Sequence, residues 1–574
     1  MRRQLTIAIE GCCHGQLDDI YRHLQQQQQR LNKTVDLLII CGDFQAVRNV
    51  TDLETMSCPN KYKQVGGFYR YYTGERKAPI PTVFVGGNHE ASNHMRELYY
   101  GGWVAPNIYY MGGSGVVKFG GLRIGGITGI FKDFDYAKGY YETPPFRGPG
   151  RASMHHVRSY EAFKMLQIRR PLDIVVSHDW PQYIERYGNT DELLRKKPFF
   201  EAEVSRGDLG SPVNALLLER LRPAWWFSAH MHVRFQAEVG SHESIFNEGW
   251  NGIPPYSTQG GENMRRPASV ADKPIAAAAA AANQDEIVMS AISDDDEDNT
   301  TTCEPPSRPR LALNLPPPKH SATEETSAES VMSEITKAEP DMAPKQVDMT
   351  AAETDTRPNG DSSLEQEVSE TADPKVPGRP TRFLALDKCL PRRQFLEIID
   401  IEVPDDTLGE HPQLEYDAEW LAILRLCHPH MPLSELPFSP PAEAQLSEAA
   451  SGIPLLPEAM LIRELDWVHS NVFSGGDRMF IPPNFMPMAP TPPPGTPDSA
   501  SFGLAGHDTG MWNRGRGRGR GNGRGRGRGG YAQAGQHSDV EWVGPRPYVI
   551  YPNPQTDELC KLLGIEDKLT QRRH

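Results

Sequence analysis

An α/β catalytic half, long disordered segments and a smaller C-terminal domain make up the organisation that three features of this 574-residue chain predict. Five short apolar runs in the first 260 residues each stop at a small residue and then at a side chain able to bind a metal. Helix-period segments separate several of them, the alternation expected of parallel strands joined by helical crossovers. Beyond residue 260 the apolar density falls, and with 38% hydrophobic residues, 50 Pro and 51 Gly the chain cannot be one globule.

In chain order, residues 4–10 read as the first strand and Asp18 to Leu31 as a helix with Ile20, Leu24 and Leu31 on one side, its glutamine run Gln25 to Gln29 a solvated face. Val35 to Cys41 is the second strand, completing a βαβ unit that the connection rule makes right-handed. Gln45 to Pro81 is a loop-rich excursion, and Thr82 to Val85 returns to the sheet. Short alternating runs between Trp103 and Ile130, split by glycines, predict antiparallel strands. Residues 131–158 have no period and are crowded with aromatic and basic side chains; an insertion of that length in a compact domain is usually functional or disordered, and a structural flap over the sheet edges is the plainer alternative.

Glu161 to Gln167 reads as a helix, and Asp173 to Val176, Ala224 to Phe227 and Val233 to Val239 as strands. Residues 261–379 form an acidic, low-complexity linker with the cluster Asp294 to Asp298, a composition that stays disordered. Order returns at 380–480, with strands near Phe383 to Asp387 and Phe395 to Ile401 and amphipathic helices at Asp417 to Cys427 and Glu458 to His469. Residues 481–574 are a Pro-rich and Arg-Gly-rich tail. Its alternating Arg514 to Gly530 tract suits the backbone of single-stranded nucleic acid.

The formal net charge of −15 would argue against a polyanionic partner, but acid is concentrated in the linker and base near the C-terminus, so charge is read by segment. The eight cysteines form no disulfide framework, which favours a reducing compartment. The apolar run at the N-terminus meets Glu10 too soon for a signal peptide, and no stretch has the roughly 20 apolar residues of a membrane helix. A soluble, intracellular protein with no membrane partner is expected.

The five runs carry the chemistry. Leu37 to Cys41 leads into Gly42-Asp43; Leu5 to Glu10 into Gly11-Cys12-Cys13-His14-Gly15; Thr82 to Val85 into Gly86-Gly87-Asn88-His89-Glu90. The last two lead into Ser177-His178-Asp179 and Ser228-Ala229-His230-Met231-His232. Ligands gather at the carboxyl ends of parallel strands, so all five are expected on one rim. One carboxylate among imidazoles and an amide fits a pair of divalent cations, the clamp that phosphoesterases use on attacking and leaving oxygens.

In their order and identities these blocks resemble the calcineurin-like metallophosphoesterase superfamily. Cys12 stands where that superfamily's usual Asp-x-His has its aspartate. Together with Ser177 to Pro181, the aromatic-basic insertion and the Arg382 to Ile401 segment, this resembles the RNA lariat debranching enzymes, over roughly residues 1–260 and 380–480.

The resemblance implies a metallophosphoesterase β-sandwich flanked by helices at 1–260, an RNA-recognition insertion at 131–158 and a C-terminal debranching-enzyme domain at 380–480. It further implies two divalent ions, Fe2+, Zn2+ or Mn2+. Matched residue by residue, His14, Asp43 and His232 hold one ion, with Cys12 at a further ligand position of that site. Asp43, Asn88, His178 and His230 hold the other. A thiolate at Cys12 biases its site toward zinc or ferrous iron.

Asp43 and His89 are then the catalytic residues, with His89 protonating the leaving oxygen. Glu90 either orients His89 or is a plain surface carboxylate. The substrate implied is branched intron RNA cut at its 2'-5' bond, read through aromatic stacking and phosphate contacts. Lys132, Tyr140, Tyr141, Arg147 and Arg158 are the candidate RNA contacts. Spliceosome-associated or intron-turnover proteins are further partners, and the location implied is nuclear, with shuttling to the cytoplasm left open. Two other functions remain open: a phosphoesterase of the same fold acting on phosphoproteins or nucleotides, and an RNA-binding adaptor with a vestigial metal site. The tail beyond residue 500 is expected to aid RNA association and to be dispensable for hydrolysis of a short branched oligonucleotide.

Overall fold

A computed structural model describes residues 2–144, 146, 149–246, 380–404, 412–446, 454–474, 476, 478–493, 496 and 550–570. The expected disordered linker and the Arg-Gly tract lie outside the described residues.

Two mixed sheets face each other. The first has six strands and the second seven among the described residues. In the first, β1 (Arg2–Glu10), β2 (Leu37–Ile40), β3 (Thr82–Phe84) and β5 (Ile108–Tyr110) run parallel, with β4 (Gly102–Ala105) antiparallel at the edge. In the second, β6 (Ser114–Phe119) and β7 (Leu122–Ile127) form a hairpin, and β8 (Ile174–Ser177) and β9 (Trp225–Ser228) continue parallel to β7. β10 (Phe235–Val239) lies at the far edge.

The period of two along each strand sorts side chains into layers. Ile7, Ile9 and Ile39 meet Ile174, Val176 and Phe227 between the sheets. The alternate residues Ala8, Leu38 and Ile40 turn outward onto the helix Leu17–Leu31 through Leu17, Ile20 and Leu24. On the other side Val175 and Trp226 pack with Phe163 of the helix Ser159–Leu166 and Leu217 of the helix Pro212–Leu221. A sandwich flanked by helices is therefore present as expected. Leu31 is the exception on the first helix, 44% exposed at its end.

The C-terminal region enters both sheets. β11 (Thr381–Ala385) lies between β9 and β10, and β12 (Leu396–Pro404) pairs antiparallel along the whole of β1, while β13 (Leu414–Tyr416) extends the second sheet beside β6. The helix Ala418–Cys427 packs its Trp420 and Leu424 into the core formed with Phe163.

The segment assigned to the tail also contributes. The helix Pro554–Leu563 begins at Asn553, whose side chain caps it by accepting from Gln555 N, and it buries Leu559, Cys560 and Leu563. Among the described residues no helix is long and apolar enough to cross a membrane.

Candidate metal centre

The donors follow the ends of strands, and at four of them the backbone takes a conformation that side chains rarely adopt. His14, Asp43, His230 and His232 have φ of 45°, 45°, 62° and 45°. Left-handed backbone at non-glycine residues costs on the order of 1–3 kcal/mol each and persists where packing enforces it, characteristically at functional sites. The adjoining glycines allow the close approach. A Cβ on Gly42 would lie 2.2 Å from His178 Nδ1, and one on Gly87 would lie 2.2 Å from Asp43 Oδ1.

Asp43 is at the centre and offers one oxygen to each side. Its Oδ2 is 3.6 Å from His14 Nε2, and its Oδ1 is 3.4 Å from His178 Nε2. On the first side, His14 Nε2 and His232 Nε2 are 3.3 Å apart. Donor atoms of Cys12, His14, Asp43 and His232 all lie within 4.8 Å of one another. On the second side, His178 Nε2 is 3.2 Å from Asn88 Oδ1, and the His178 and His230 ring centres are 5.0 Å apart.

These separations fit cations. Four ligands at bonds of about 2.1 Å in a tetrahedron are about 3.4 Å apart, close to the edges measured. The surrounding bonds fit as well. His178 Nδ1 donates to Cys41 O at 2.9 Å, which leaves Nε2 with its lone pair facing Asp43 and Asn88. A backbone carbonyl orienting a ligating imidazole in this way is a recurrent feature of metal sites. The backbone N–H of His230 donates to Cys12 Sγ at 3.2 Å, tying the thiol to the last motif.

Burial lowers the His178 imidazole, but Asp43 outweighs it and raises the ring above its ordinary value, a proton that a bound cation would displace. Burial opposes the ionised form of Asp43, but the His178, His89 and His14 rings outweigh it and hold the carboxyl well below the usual range. Burial, then His14 and Lys388, push His232 well below the ordinary imidazole value, so its ring stays neutral and able to ligate. Burial, followed by the Asp43 and Glu10 carboxylates, pushes the Cys12 thiol up. A coordinating cation reverses that balance by taking the thiol as thiolate.

His89 lines the cleft beside Asp43 and donates its backbone N–H to Asp43 Oδ1 at 2.9 Å. Glu90 is neither a surface carboxylate nor a partner of that ring. It is 2% exposed, accepts from Phe44 N at 2.7 Å and Gly87 N at 3.0 Å through Oε1, and from Gln45 N at 2.8 Å through Oε2. The carboxylate thereby braces the Asp43 loop to the Asn88 loop. Its position at the end of Gly87-Asn88-His89-Glu90 gave no sign of this, because the amides it joins belong to two distant segments.

The sequence and its relatives agree with the geometry. Residues 5–234 match the calcineurin-like phosphoesterase model, and residues 378–503 match the lariat debranching enzyme C-terminal domain. The lariat debranching enzyme of Schizosaccharomyces pombe is 36% identical over 491 residues, covering 85% of this chain and 90% of that one. This chain belongs to the lariat debranching enzyme family.

The family's member in Gallus gallus is 40% identical over 421 residues, 73% of this chain and 54% of its own length. Lariat debranching enzyme A of Xenopus laevis is 58% identical over 241 residues, 42% and 45% of the two chains. The chain thus spans about half the length of these two relatives. In this member of the family Asp43, Asn88, His230 and His232 open onto a cleft of about 330 Å³.

Of the expected RNA contacts, Lys132 lines that cleft. Tyr140 and Arg158 do not, and both are corrections. Tyr140 is 8% exposed and gives its hydroxyl proton to the buried carboxylate of Glu161. Arg158 is 1% exposed; it donates to Asp135 O at 2.7 Å and Ser153 O at 2.8 Å and pairs with Glu142. These side chains hold the insertion together from inside. Tyr141 is half-buried against Lys138 and Arg158. Arg147 lies outside the described residues.

The cleft wall that sequence reasoning missed is 197–210, where Lys197, Phe199 and Leu209 face the donors' cavity. The run Lys196-Lys197-Pro198-Phe199-Phe200, basic then aromatic, was the available signal.

Proposed function

We propose that this protein is a metal-dependent phosphodiesterase that hydrolyses the 2'-5' bond at the branch point of excised intron lariat RNA and so linearises it for turnover. The observation that carries the reading is Asp43, with one oxygen toward each of two donor sets, at the floor of a cleft in a member of the lariat debranching family. Cys12, His14, Asp43 and His232 would hold one cation, and Asp43, Asn88, His178 and His230 a second, with Fe2+, Zn2+ or Mn2+ the ions suited to this mixture of sulfur, imidazole and oxygen.

Cations bound there supply Lewis-acid polarisation of phosphoryl oxygens and lower the pKa of water. The chain's own part is positional. Asp43 is fixed by the His89 amide, and Glu90 keeps the two loops in register. His89, in the cleft but outside both donor sets, delivers a proton to the leaving ribose oxygen, a role worth typically 10² to 10⁴ in rate. Lys132 in the same cleft offsets substrate phosphate charge. An RNA of this kind arises where introns are removed, which supports a nuclear location with spliceosome-associated or intron-turnover partners.

The test offers the purified protein a branched 2'-5' RNA, a linear 3'-5' RNA and a phosphopeptide, each with and without chelator. Cleavage at the branch alone, lost on chelation and restored by one of the three ions, is the expected result. Turnover of the phosphopeptide with the branch left intact would replace this reading with a protein phosphatase.

A further inference from the structure

Phe199 stands on a wall of the cleft outside both donor sets. Phe200, fully buried in the main core, pins the 3-10 turn Pro198–Phe200 between the helices Thr190–Lys196 and Glu201–Arg206. Its neighbour Phe199 is 38% exposed, one of the few large apolar side chains left that open to solvent among the described residues. It borders the same cleft as Asp43, Asn88 and His89. Lys197 Nζ stands 5.7 Å from its ring centre, and Lys132 lines the cleft as well.

We infer that Phe199 is a stacking platform for a base of the RNA strand next to the scissile phosphate, with the half-buried Lys132 set to take an adjoining phosphate. The inference rests on the lariat-debranching reading and specifies how its substrate is held. An aromatic face accepts any base, while cations beside it track the backbone, the pairing found in single-strand binding sites. Splayed, unpaired bases are what a branched junction presents. The turn suits the task because Phe200 anchors it, so Phe199 is held in place before the RNA arrives and little ordering is left for binding to supply. The cleft's volume of about 330 Å³ lies at the lower end of the ~300–1,000 Å³ typical of small-ligand sites, enough for a base and its phosphate.

The experiment measures KM and kcat on a branched RNA for the wild type, Phe199→Ala and Phe199→Trp, and repeats the wild-type and alanine measurements on a branched RNA that carries an abasic residue beside the branch. Loss of the platform is expected to raise KM roughly ten- to hundredfold with kcat within about twofold. Phe199→Trp restores KM. The abasic RNA weakens wild type and Phe199→Ala to the same level. An unchanged KM in Phe199→Ala overturns the inference. So does a fall in kcat that tryptophan does not restore, which would make the ring a prop for the cleft. Should wild type leave the branch uncut, the functional reading fails first, and equilibrium binding of the same RNAs to the three proteins still tests the platform.

Discussion

Gln555 holds the free edge of the first sheet from a position near the end of the chain, and replacing it by alanine tests whether the last described segment belongs to the catalytic body. β4 is the edge strand, and its Trp103 turns its backbone groups away from β5. Trp103 N donates to Gln555 Oε1 at 2.7 Å and Trp103 O accepts from Gln555 Nε2 at 2.9 Å, so one amide side chain serves as the missing neighbouring strand. A buried backbone group stripped of its partner costs about 1–3 kcal/mol, which puts Gln555→Ala at roughly 2–6 kcal/mol for the pair. Ending the chain at residue 549 adds the loss of Leu563, fully buried in the main core, where truncating such a leucine alone costs about 2–5 kcal/mol. Against total stabilities of about 5–15 kcal/mol, the shortened protein should unfold at clearly lower urea concentration and lose hydrolysis of branched RNA at temperatures the full chain tolerates. Deleting only residues 514–530, the Arg-Gly tract, should leave the midpoint alone and weaken RNA association in a salt-dependent way. Equal urea midpoints for the protein ending at 549 and the full chain would refute the argument and return the whole tail to the dispensable role that composition suggests.

Three further outcomes follow. Gly87→Ala would place a Cβ 2.2 Å from Asp43 Oδ1 and 2.4 Å from Asp43 N; bound metal per chain, read by elemental analysis, should drop sharply, and full occupancy would mean the loop yields without cost. His89→Ala should lower kcat by about 10² to 10⁴ with RNA affinity and metal content retained; an unaltered kcat would remove the proton-donor role. Burial lifts the Glu185 carboxyl to about 7, against the pull of its own backbone N–H and of Arg186. The folded protein therefore keeps a proton that the unfolded chain releases near pH 4.5, and stability falls as pH rises through that window to about 7. Glu185→Gln has no such proton to lose, so its unfolding free energy should be flatter over the same range, the difference reaching about 3 kcal/mol at most. Parallel pH profiles for the two proteins would contradict the assignment.

What could be read from the sequence was whatever the strand period controls. An apolar run, a small residue and a metal-capable side chain announce themselves locally, so the five strand ends could be picked out before any coordinates; the resemblance then singled out Cys12, His14, Asp43, Asn88, His178, His230 and His232, and the structure brings them to one rim. The insertion is different, because aromatic and basic residues have the same composition whether they face RNA or each other. Tyr140 and Arg158 turned inward because acids in and near the same stretch, Asp135, Glu142 and Glu161, give them buried partners, and only the fold decides that pairing. Phe199 escaped notice because a three-residue turn has no periodicity to read. The helix Pro554–Leu563 carries a capping Asn553 and a proline at its start, but a long low-complexity stretch hid it as a module.

The placement of β11 and β12 bears on how the site is built from two separate parts of the chain. The loop bearing Cys12 is held by the C-terminal part: Gly11 N donates to Phe395 O at 3.0 Å, Cys12 N to Asp387 O at 3.3 Å, and Cys389 N to Cys12 O at 3.2 Å. A Cβ on Gly11 would lie 2.1 Å from Asp387 O, so the two strands of backbone are as close as glycine permits. β12 matches β1 from Arg2 to Glu10, and β11 is flanked on both sides by catalytic-half strands. A tether as long as the linker between the parts supplies an effective concentration of about a millimolar at most, a small contribution beside pairing along whole strands. A protease site engineered near residue 310 should therefore yield a nicked protein whose two fragments co-elute in native buffer, retain metal and cleave branched RNA, and come apart only in denaturant. Fragments that separate without denaturant would mean that the C-terminal strands are held by the linker and not by the sheets.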